Sequence, residues 1–182
     1  VGSEMCIRDS SESGAGNEPY VEYAEGMYNG YRYYETAYDL KAVGFSYGEL
    51  NSQGAATAVG EVAYPFGYGL SYTTFDQKIL SVQGKEELEV TVSVTNTGDR
   101  AGKEVVQLYL NPPYTDLDRE MKIEKPTATL IAFAKTGLLK PGESTQLVLR
   151  FGRDEMASYC YTRDNGDGTT GCYMLEEGQY VL

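Results

Sequence analysis

Acidic side chains near the start of the chain are the first residues whose type and spacing suggest chemistry. They lie close together in sequence at Glu18, Glu22, Glu25, Glu35 and Asp39. A pair of such carboxyl groups in one cleft can act as general acid and general base. A run of charge is more often a solvated surface, which here would keep an aromatic-rich segment in solution. We favour the solvated surface and assign no catalytic residue within this chain.

Tyrosine is the most distinctive residue of the same region, since 11 of the 17 tyrosines lie between positions 20 and 72 and the chain has no Trp. Tyr31 and Arg32 are the candidates for substrate binding, because a cation can stack on an aromatic ring and a guanidinium can hold a hydroxyl or a carboxylate. Sugar-binding platforms favour Trp, however, and tyrosines also supply apolar area where two domains meet. We favour packing at a domain boundary for the cluster and a structural tie for Arg32.

A second acidic segment, DNGDG at residues 164–168, invites comparison with a calcium loop. An EF-hand loop needs side-chain oxygens at its first, third and fifth positions, followed by a Glu at the twelfth. Counted from Asp164, the third position is Gly166 and the fifth is Gly168, so the ligand register fails. The segment predicts a hairpin turn, and we expect no metal site and no cofactor.

The cysteines of the chain are Cys6, Cys160 and Cys172. An odd number does not indicate a disulfide framework. Cys160 and Cys172 flank the turn-rich segment 164–168, so they could face each other across a hairpin. We favour the simpler interpretation of two small thiols that are buried or half-buried.

Composition removes several functional classes. The chain has no His, which excludes a Ser-His-Asp triad, a Cys-His dyad and a His-bearing zinc site. It holds 27 Asp and Glu against 15 Lys and Arg, and the resulting net charge of −12 argues against a nucleic-acid partner. The sequence contains no run of about 18 apolar residues, so nothing in it indicates a membrane partner. The first ten residues lack the apolar core of a signal peptide. This lack and the free thiols together favour a cytoplasmic location, with secretion as the alternative.

Residues 73–182 show the period-two alternation of half-buried strands. Turn signals at residues 96–99 (NTGD) and 141–142 (PG) separate the alternating runs. The pattern predicts seven short strands and no helix, with the strands at residues 87–95, 106–110, 127–134, 146–151, 156–162, 172–175 and 179–182. We therefore predict a mainly β fold in which residues 73–182 form an immunoglobulin-like antiparallel sandwich.

Residues 1–72 are organised differently. We expect residues 1–19, rich in Ser, Gly and Glu, to be disordered or artefactual. Within residues 20–72, Tyr31–Tyr34 predicts a short strand, with Gly26 and Gly30 as breakers. The long irregular stretch that follows suggests the tail of a larger body, and the apolar end at Leu182 suggests truncation of the last strand.

Three segments resemble the C-terminal portion of glycoside hydrolase family 3 enzymes. EGMYNGYRYYET at residues 25–36 is similar to the end of that family's α/β sandwich domain, and YPFGYGLSYTTF at residues 64–75 is similar to the junction that follows it. VTNTGDRAGKEVVQLY at residues 94–109 resembles a run of the family's fibronectin type III-like domain. The junction is a packing motif rather than a catalytic signature, and its identifying residues are Pro65, Phe66, Gly67, Gly69, Ser71, Tyr72 and Phe75.

The resemblance implies that residues 20–72 are the C-terminal remnant of an α/β sandwich domain with its linking motif, and that residues 73–182 are a fibronectin type III-like domain. It also implies a parent enzyme that releases terminal β-linked sugars with retention, through a nucleophile on a barrel domain and an acid/base on the sandwich domain. Both catalytic segments would lie outside this chain. Its partners would be those missing domains, with a β-linked oligosaccharide or glycoside as the parent's substrate. The alternative is a free-standing fibronectin-like module that binds carbohydrate or protein.

Overall fold

The structure, a computed structural model, describes residues 26–40, 62 and 64–182. The prediction of disorder for residues 1–19 lies outside the described residues. So do Cys6 and three of the acidic candidates, Glu18, Glu22 and Glu25.

The described part of the chain is mainly β, as predicted. Its strands are β1 (Phe75–Gly84), β2 (Glu87–Asn96), β3 (Val105–Leu110), β4 (Thr129–Lys135), β5 (Ser144–Gly152), β6 (Ser158–Asp164) and β7 (Thr170–Met174). Two α-helices, α1 (Tyr31–Asp39) and α2 (Asp116–Met121), and a 3-10 turn at Arg153–Met156 accompany them. No helix among the described residues is long and apolar enough to cross a membrane.

The strands form three antiparallel groups. The first sheet has the order β1-β2-β5, whereas β3 pairs with β4 and β6 pairs with β7. The turn at residues 96–99 therefore carries the chain from the first sheet to the second, rather than closing a hairpin between neighbouring strands. Beyond β7, Val181 exchanges a pair of backbone hydrogen bonds with Asn111, just after β3.

The hydrophobic core lies between the first sheet and β3. On β2, Val90, Val92 and Val94 are buried on one face, as the alternation predicted, while Thr91 and Ser93 are half-buried on the other. The buried positions that pack against these valines are Val106 and Leu108 of β3, Leu149 and Phe151 of β5, and Leu139. Two inner faces that interdigitate in this way define a β-sandwich.

The prediction of seven strands was wrong at the two ends of the domain. Residues 75–84 form β1, which the sequence did not reveal, because a register shift between Ile79 and Ser81 interrupts the alternation and most of the strand is exposed. The expected last strand at residues 179–182 is reduced to the single bridge at Val181. The other predicted strands are confirmed, each within a few residues of its expected bounds.

Both helices contradict the sequence prediction. Tyr31–Tyr34, predicted as a strand, opens α1, and Gly30 at its start has φ 55°. Tyrosine favours strands only as a packing preference, and here the first turn of the helix is held by contacts with the sandwich. The second helix, α2, was missed because six residues are too short to show a helical period.

Candidate functional site

The candidate substrate residue Tyr31 lies in an aromatic junction, defined here as Tyr31, Phe66 and Tyr109. The rings of Tyr31 and Phe66 are stacked, with centroids 4.3 Å apart and planes 14° from parallel. Tyr109 on β3 meets the edge of Tyr31, with centroids 6.1 Å apart. The junction thus joins the helix α1, the YPFGYGLSYTTF motif and the sandwich, and Tyr31 has a packing role in it.

Hydrogen bonds from the sandwich hold α1 against β4. The hydroxyl oxygen of Tyr31 accepts a 2.9 Å bond from the backbone N–H of Leu130. The hydroxyl oxygen of Thr36, a buried side chain, accepts a 3.0 Å bond from the N–H of Thr127. Because both acceptors are engaged by the sandwich, Tyr31 and Thr36 take part in the packing of α1 against it.

Arg32, the second candidate, is half-buried beside the junction. Its Nε is buried and has no hydrogen-bond partner among the described residues. The Nε atom of Arg32 thus adds no support to the predicted structural tie, which stays a prediction.

The junction motif contains one glycine that the geometry requires. Gly67 has φ 82°, and a Cβ placed there would lie 2.1 Å from the Oε1 atom of Gln107. That same oxygen accepts a 2.8 Å hydrogen bond from the hydroxyl of Tyr109, so it is held in place. By contrast, a Cβ at Gly69 would meet no atom within 4 Å among the described residues. Of the two glycines, Gly67 alone is fixed by the described packing.

Several apolar side chains of the motif remain on the surface of the described structure. Tyr72 is 91% exposed, Leu70 is 79% exposed and Phe66 is 49% exposed. Pro65 and Ser71 are exposed as well, whereas Phe75 packs against the core at the start of β1. Exposed apolar side chains that lie close together can mark a surface that binds another protein surface. We call Phe66, Leu70 and Tyr72 the exposed motif surface.

The acidic candidates in the described part of the chain are Glu35 and Asp39. Glu35 and Asp39 lie on α1, and Glu35 contributes, after burial and Tyr31, to a raised pKa of the Tyr109 hydroxyl. No group of three His, Cys, Asp or Glu side chains among the described residues could hold a metal ion. The segment 164–168 forms the turn between β6 and β7, as predicted.

The residues that the sequence did not reveal form a buried charged cluster of Asp118, Lys125 and Glu176. Lys125 Nζ lies 2.7 and 2.8 Å from the two carboxylate oxygens of Asp118, donates to Pro113 O at 3.0 Å, and also bonds Glu176 Oε2. The side chains of Asp118, Lys125 and Glu176 are 0%, 3% and 7% exposed. The cluster ties the start of α2 to the segment that follows β7.

A capping box at Thr115 places Asp118. The hydroxyl of Thr115 accepts from the Asp118 N–H at 3.3 Å, and the Thr115 N–H donates to Asp118 Oδ2 at 2.6 Å. The Thr115 hydroxyl in turn donates to Glu176 Oε1 at 2.7 Å. The spacing Thr-x-x-Asp is the only sequence signal for this site, and it differs from the usual capping box by its Asp in place of Glu or Gln.

The cluster has the electrostatics of a structural ion pair. Burial alone would raise the pKa of Asp118, but the bonds from Lys125 and Thr115 outweigh it and hold that pKa below its ordinary value. Burial would likewise lower the pKa of Lys125, and the two carboxylates raise it instead. Asp118 and Lys125 are therefore charged at neutral pH and partnered by each other, which suits packing rather than proton transfer.

The chain is similar to parts of several known proteins. Residues 104–182 match the fibronectin type III-like domain. β-Glucosidase A of Butyrivibrio fibrisolvens is 37% identical over 94% of this chain and 19% of its own length. A β-glucosidase structure from Paenibacillus barengoltzii is 41% identical and superimposes with a TM-score of 0.62, covering 91% of this chain and 15% of that one. A glycoside hydrolase family 3 β-glucosidase from Bifidobacterium adolescentis is 32% identical, also with a TM-score of 0.62, over 91% of this chain and 20% of that one.

The chain matches the C-terminal portion of glycoside hydrolase family 3 proteins, with their fibronectin type III-like domain. It spans about a fifth of the length of the curated relative from Butyrivibrio. The family 3 resemblance given by the motifs at residues 25–36, 64–75 and 94–109 is thus confirmed.

The stacking of Tyr31 can be tested in the chain itself. We expect Tyr31→Ala to release α1 from β4. The free energy of local opening of α1 should fall by about 2 kcal/mol, because both the ring contacts and the bond to Leu130 disappear. Tyr31→Phe keeps the rings and removes only the hydroxyl, so we expect a loss of about 1 kcal/mol and continued protection of α1. Hydrogen exchange of the amides of residues 31–39 measures both. Equal protection in Tyr31→Ala and the wild type would contradict this role for Tyr31.

Proposed function

We propose that this chain is the non-catalytic C-terminal portion of a retaining glycoside hydrolase that releases terminal β-linked sugars, and that it stabilises the catalytic domains of its parent. The observation that carries the proposal is that nearly the whole chain aligns with a small part of β-glucosidases. Residues 73–182 act as the fibronectin-like domain in this proposal, and residues 20–72 as the end of the domain before it. The parent's substrate is a β-linked oligosaccharide or glycoside.

The exposed motif surface agrees with a role in stabilising the catalytic domains. Leu70 and Tyr72 are the most exposed of its apolar side chains, and they lie between α1 and β1 in the chain. In the proposal, this surface is covered by the α/β sandwich and barrel domains of the parent. The alternative, a free-standing binding module, does not account for a match over 91% of this chain to a small part of much longer enzymes.

The chemistry of the described residues agrees with a non-catalytic role. A retaining glycosidase needs two carboxyl groups about 5–5.5 Å apart, one free to attack and the other to transfer a proton. Asp118 and Glu176 come together in this structure, but both are buried and share the ammonium of Lys125. Neither carboxylate can reach a sugar in that arrangement.

The first test is an activity assay. We expect the purified chain to give no turnover of nitrophenyl β-glucoside, because the proposed catalytic carboxylates lie on other domains. The measurement is nitrophenol release, with a family 3 β-glucosidase as the positive control. Turnover that is abolished by a substitution within this chain would overturn the non-catalytic assignment.

The second test asks whether the chain can support a catalytic body. In a chimera, residues 26–182 replace the matching portion of the Butyrivibrio β-glucosidase A, and the stability of the chimera is followed by residual activity after heating. We expect Leu70→Ser with Tyr72→Ser to shorten the half-life of the chimera, because their apolar area would then meet the catalytic domains poorly. The matched control is Tyr161→Ser, an exposed tyrosine on β6 that is 54% exposed. Equal half-lives for the double variant and the control would contradict the proposed supporting surface.

A further inference from the structure

The β6–β7 hairpin places two thiols directly opposite each other. Cys160 and Cys172 are paired residues of this antiparallel ladder, next to the pair Tyr159 and Tyr173. Those tyrosines belong to the other face of the hairpin, and their rings touch with centroids 5.2 Å apart. Side chains that face each other across a ladder lie on one side of it, so the cysteines share the opposite face as neighbours.

The turn that closes the hairpin is held by its own hydrogen bonds, and the ladder has an irregularity between this turn and the cysteine pair, in the stretch from Cys160 to Asp164. Asn165 donates from its backbone to Thr169 O at 3.1 Å and from its side-chain amide to Gly171 O at 3.1 Å. Asp164 and Asp167 accept backbone N–H bonds within the same turn. Gly166 and Gly168 have φ 78° and 86°, a conformation that other residues rarely adopt. The pairing of Cys160 with Cys172 instead continues the register of the two pairs before it, Ser158 with Met174 and Tyr159 with Tyr173.

The spacing of paired residues suits a covalent bond between the thiols. Directly opposite residues of an antiparallel pair have Cα atoms about 4.5–5.5 Å apart. Disulfides join Cα atoms that are about 4.4–6.8 Å apart. We propose that Cys160 and Cys172 form a dithiol redox site, which reacts with a small-molecule disulfide and closes to a cross-strand disulfide. This inference is independent of the proposed function.

The two thiols differ in exposure, which assigns them different roles. Cys160 is fully buried and Cys172 is half-buried. The hydroxyl of Thr162 donates its proton to Met121 O at 2.8 Å, so in its 3.4 Å contact with Cys160 Sγ the thiol is the donor. Cys160 is therefore shielded from reagents in solution, whereas Cys172 is the one that an external reagent reaches.

The reaction proceeds in two exchanges. The thiolate of Cys172 attacks a disulfide RSSR, forming a Cys172–SR mixed disulfide and releasing RS⁻. The sulfur of Cys160 then attacks the sulfur of Cys172, its proton passes to the departing RS⁻, and the second RSH leaves. In sum, the two thiols are oxidised to one disulfide and RSSR is reduced to two RSH. The product closes the turn of the hairpin covalently.

The test uses the full chain with Cys6→Ser, which leaves the two thiols of interest. The protein is equilibrated in mixtures of reduced and oxidised glutathione, alkylated and mapped by mass spectrometry without reduction. We expect a monomer that has lost two hydrogen atoms and a peptide cross-linked between Cys160 and Cys172. Oxidation should also raise the apparent Tm by roughly 5–10 °C, because the bond restricts the unfolded chain.

A matched variant separates the geometry from the mere presence of two cysteines. In Cys172→Ser with Tyr173→Cys, on the Cys6→Ser background, the second thiol moves to the other face of β7. We expect this variant to form glutathione adducts and no internal bond, with an unchanged far-UV circular dichroism spectrum in the reduced state. The proposal is overturned if the Cys6→Ser protein itself retains two free thiols or gives only glutathione adducts or intermolecular dimers. It is also overturned if the displaced thiol cross-links as readily as Cys172.

Discussion

Asn96→Ala is expected to lower the free energy of unfolding by roughly 3–5 kcal/mol, because this fully buried side chain holds three segments together. Its Nδ2 donates to Arg100 O at 2.7 Å and to Leu139 O at 2.9 Å. Its Oδ1 accepts from Thr73 Oγ1 at 2.7 Å and from the Gly98 N–H at 3.1 Å. These partners also fix the orientation of the amide, since only the NH₂ group can donate to two carbonyls.

The size of this effect follows from what Ala would leave behind. A buried polar group without a partner costs about 1–3 kcal/mol, and the substitution strips a bond from each of four groups. Leu139 O keeps a second bond, from the Gly102 N–H at 3.0 Å, so the loss falls mainly on the other three. A domain with a total stability of about 5–15 kcal/mol would lose a large share of it.

Thr97→Ala is the matched control for Asn96. Thr97 is the next residue along the chain, and its hydroxyl makes an exposed 2.9 Å contact with Thr74. Its removal should change stability by about 0.5 kcal/mol or less. Urea unfolding followed by circular dichroism measures both variants. If the two variants unfold at the same urea concentration, Asn96 does not hold the crossover between the sheets.

The contrast between Asn96 and its neighbours shows what sequence patterns predict well. The valines at 90, 92 and 94 alternate with polar residues, and the alternation identifies both β2 and its buried face. Asn96 continues the same alternation but is polar, so the pattern that places it at a buried position says nothing of its four partners. Those partners lie up to 43 residues away in sequence, and only the crossover between the sheets brings them together.

The aromatic junction illustrates a second limit. Tyr31 and Phe66 were each identified from motifs, and a packing role was predicted for both. Yet Tyr31 lies on a helix rather than on the predicted strand, because contacts with β4 and Tyr109 decide its conformation. Local preference was outweighed by tertiary packing, which a single sequence does not display.

The buried charged cluster was beyond prediction for a different reason. Asp118, Lys125 and Glu176 are of the residue types that normally lie on the surface, and no local pattern distinguishes them from solvated charges. Lys125 and Glu176 are 51 positions apart in the chain. Their meeting depends on the chain after β7 returning to Asn111, the contact that replaces the expected last strand.

Lys125→Met is expected to lower the free energy of unfolding by about 3–5 kcal/mol at pH 7, because it leaves two carboxylates buried without a counter-charge. Met has a similar length and keeps the apolar stem of the lysine, so the change removes mainly the ammonium and its bonds. The bonds lost run to Asp118, Glu176 and Pro113 O. The segment after β7 should loosen first, since Glu176 is its link to α2.

The pH dependence gives this prediction its sharpest form. In the wild type the pKa of Asp118 is lowered, so its contribution is present above the unfolded pKa near 4 and is lost as the pH falls through the folded pKa. The pKa of Lys125 is raised, so its contribution is present below the unfolded value near 10.5 and is lost as the pH rises through the folded one. The wild type should therefore lose stability on acidification.

Lys125→Met should reverse that slope. Without the ammonium, burial and the neighbouring carboxylate raise the pKa of Asp118 above the unfolded value, so the folded state takes up a proton first. The free energy of unfolding of Lys125→Met should then rise as the pH falls from about 7 to about 5. Over the same range that of the wild type should stay nearly constant or fall. Urea unfolding across this range measures the two slopes. A slope of the same sign in both proteins would contradict the buried pairing of Lys125.

A triple variant, Lys125→Met with Asp118→Asn and Glu176→Gln, separates charge burial from packing. It removes all three charges but keeps side chains of similar size, so we expect it to be more stable at pH 7 than Lys125→Met alone. Its free energy of unfolding should not change between about pH 5 and pH 7 because of this site. Breaking an ion pair leaves a buried charge, whereas replacing the whole cluster leaves none. If the triple variant is as unstable as Lys125→Met, the loss comes from the hydrogen-bond geometry around Thr115 and Pro113 rather than from unpaired charge.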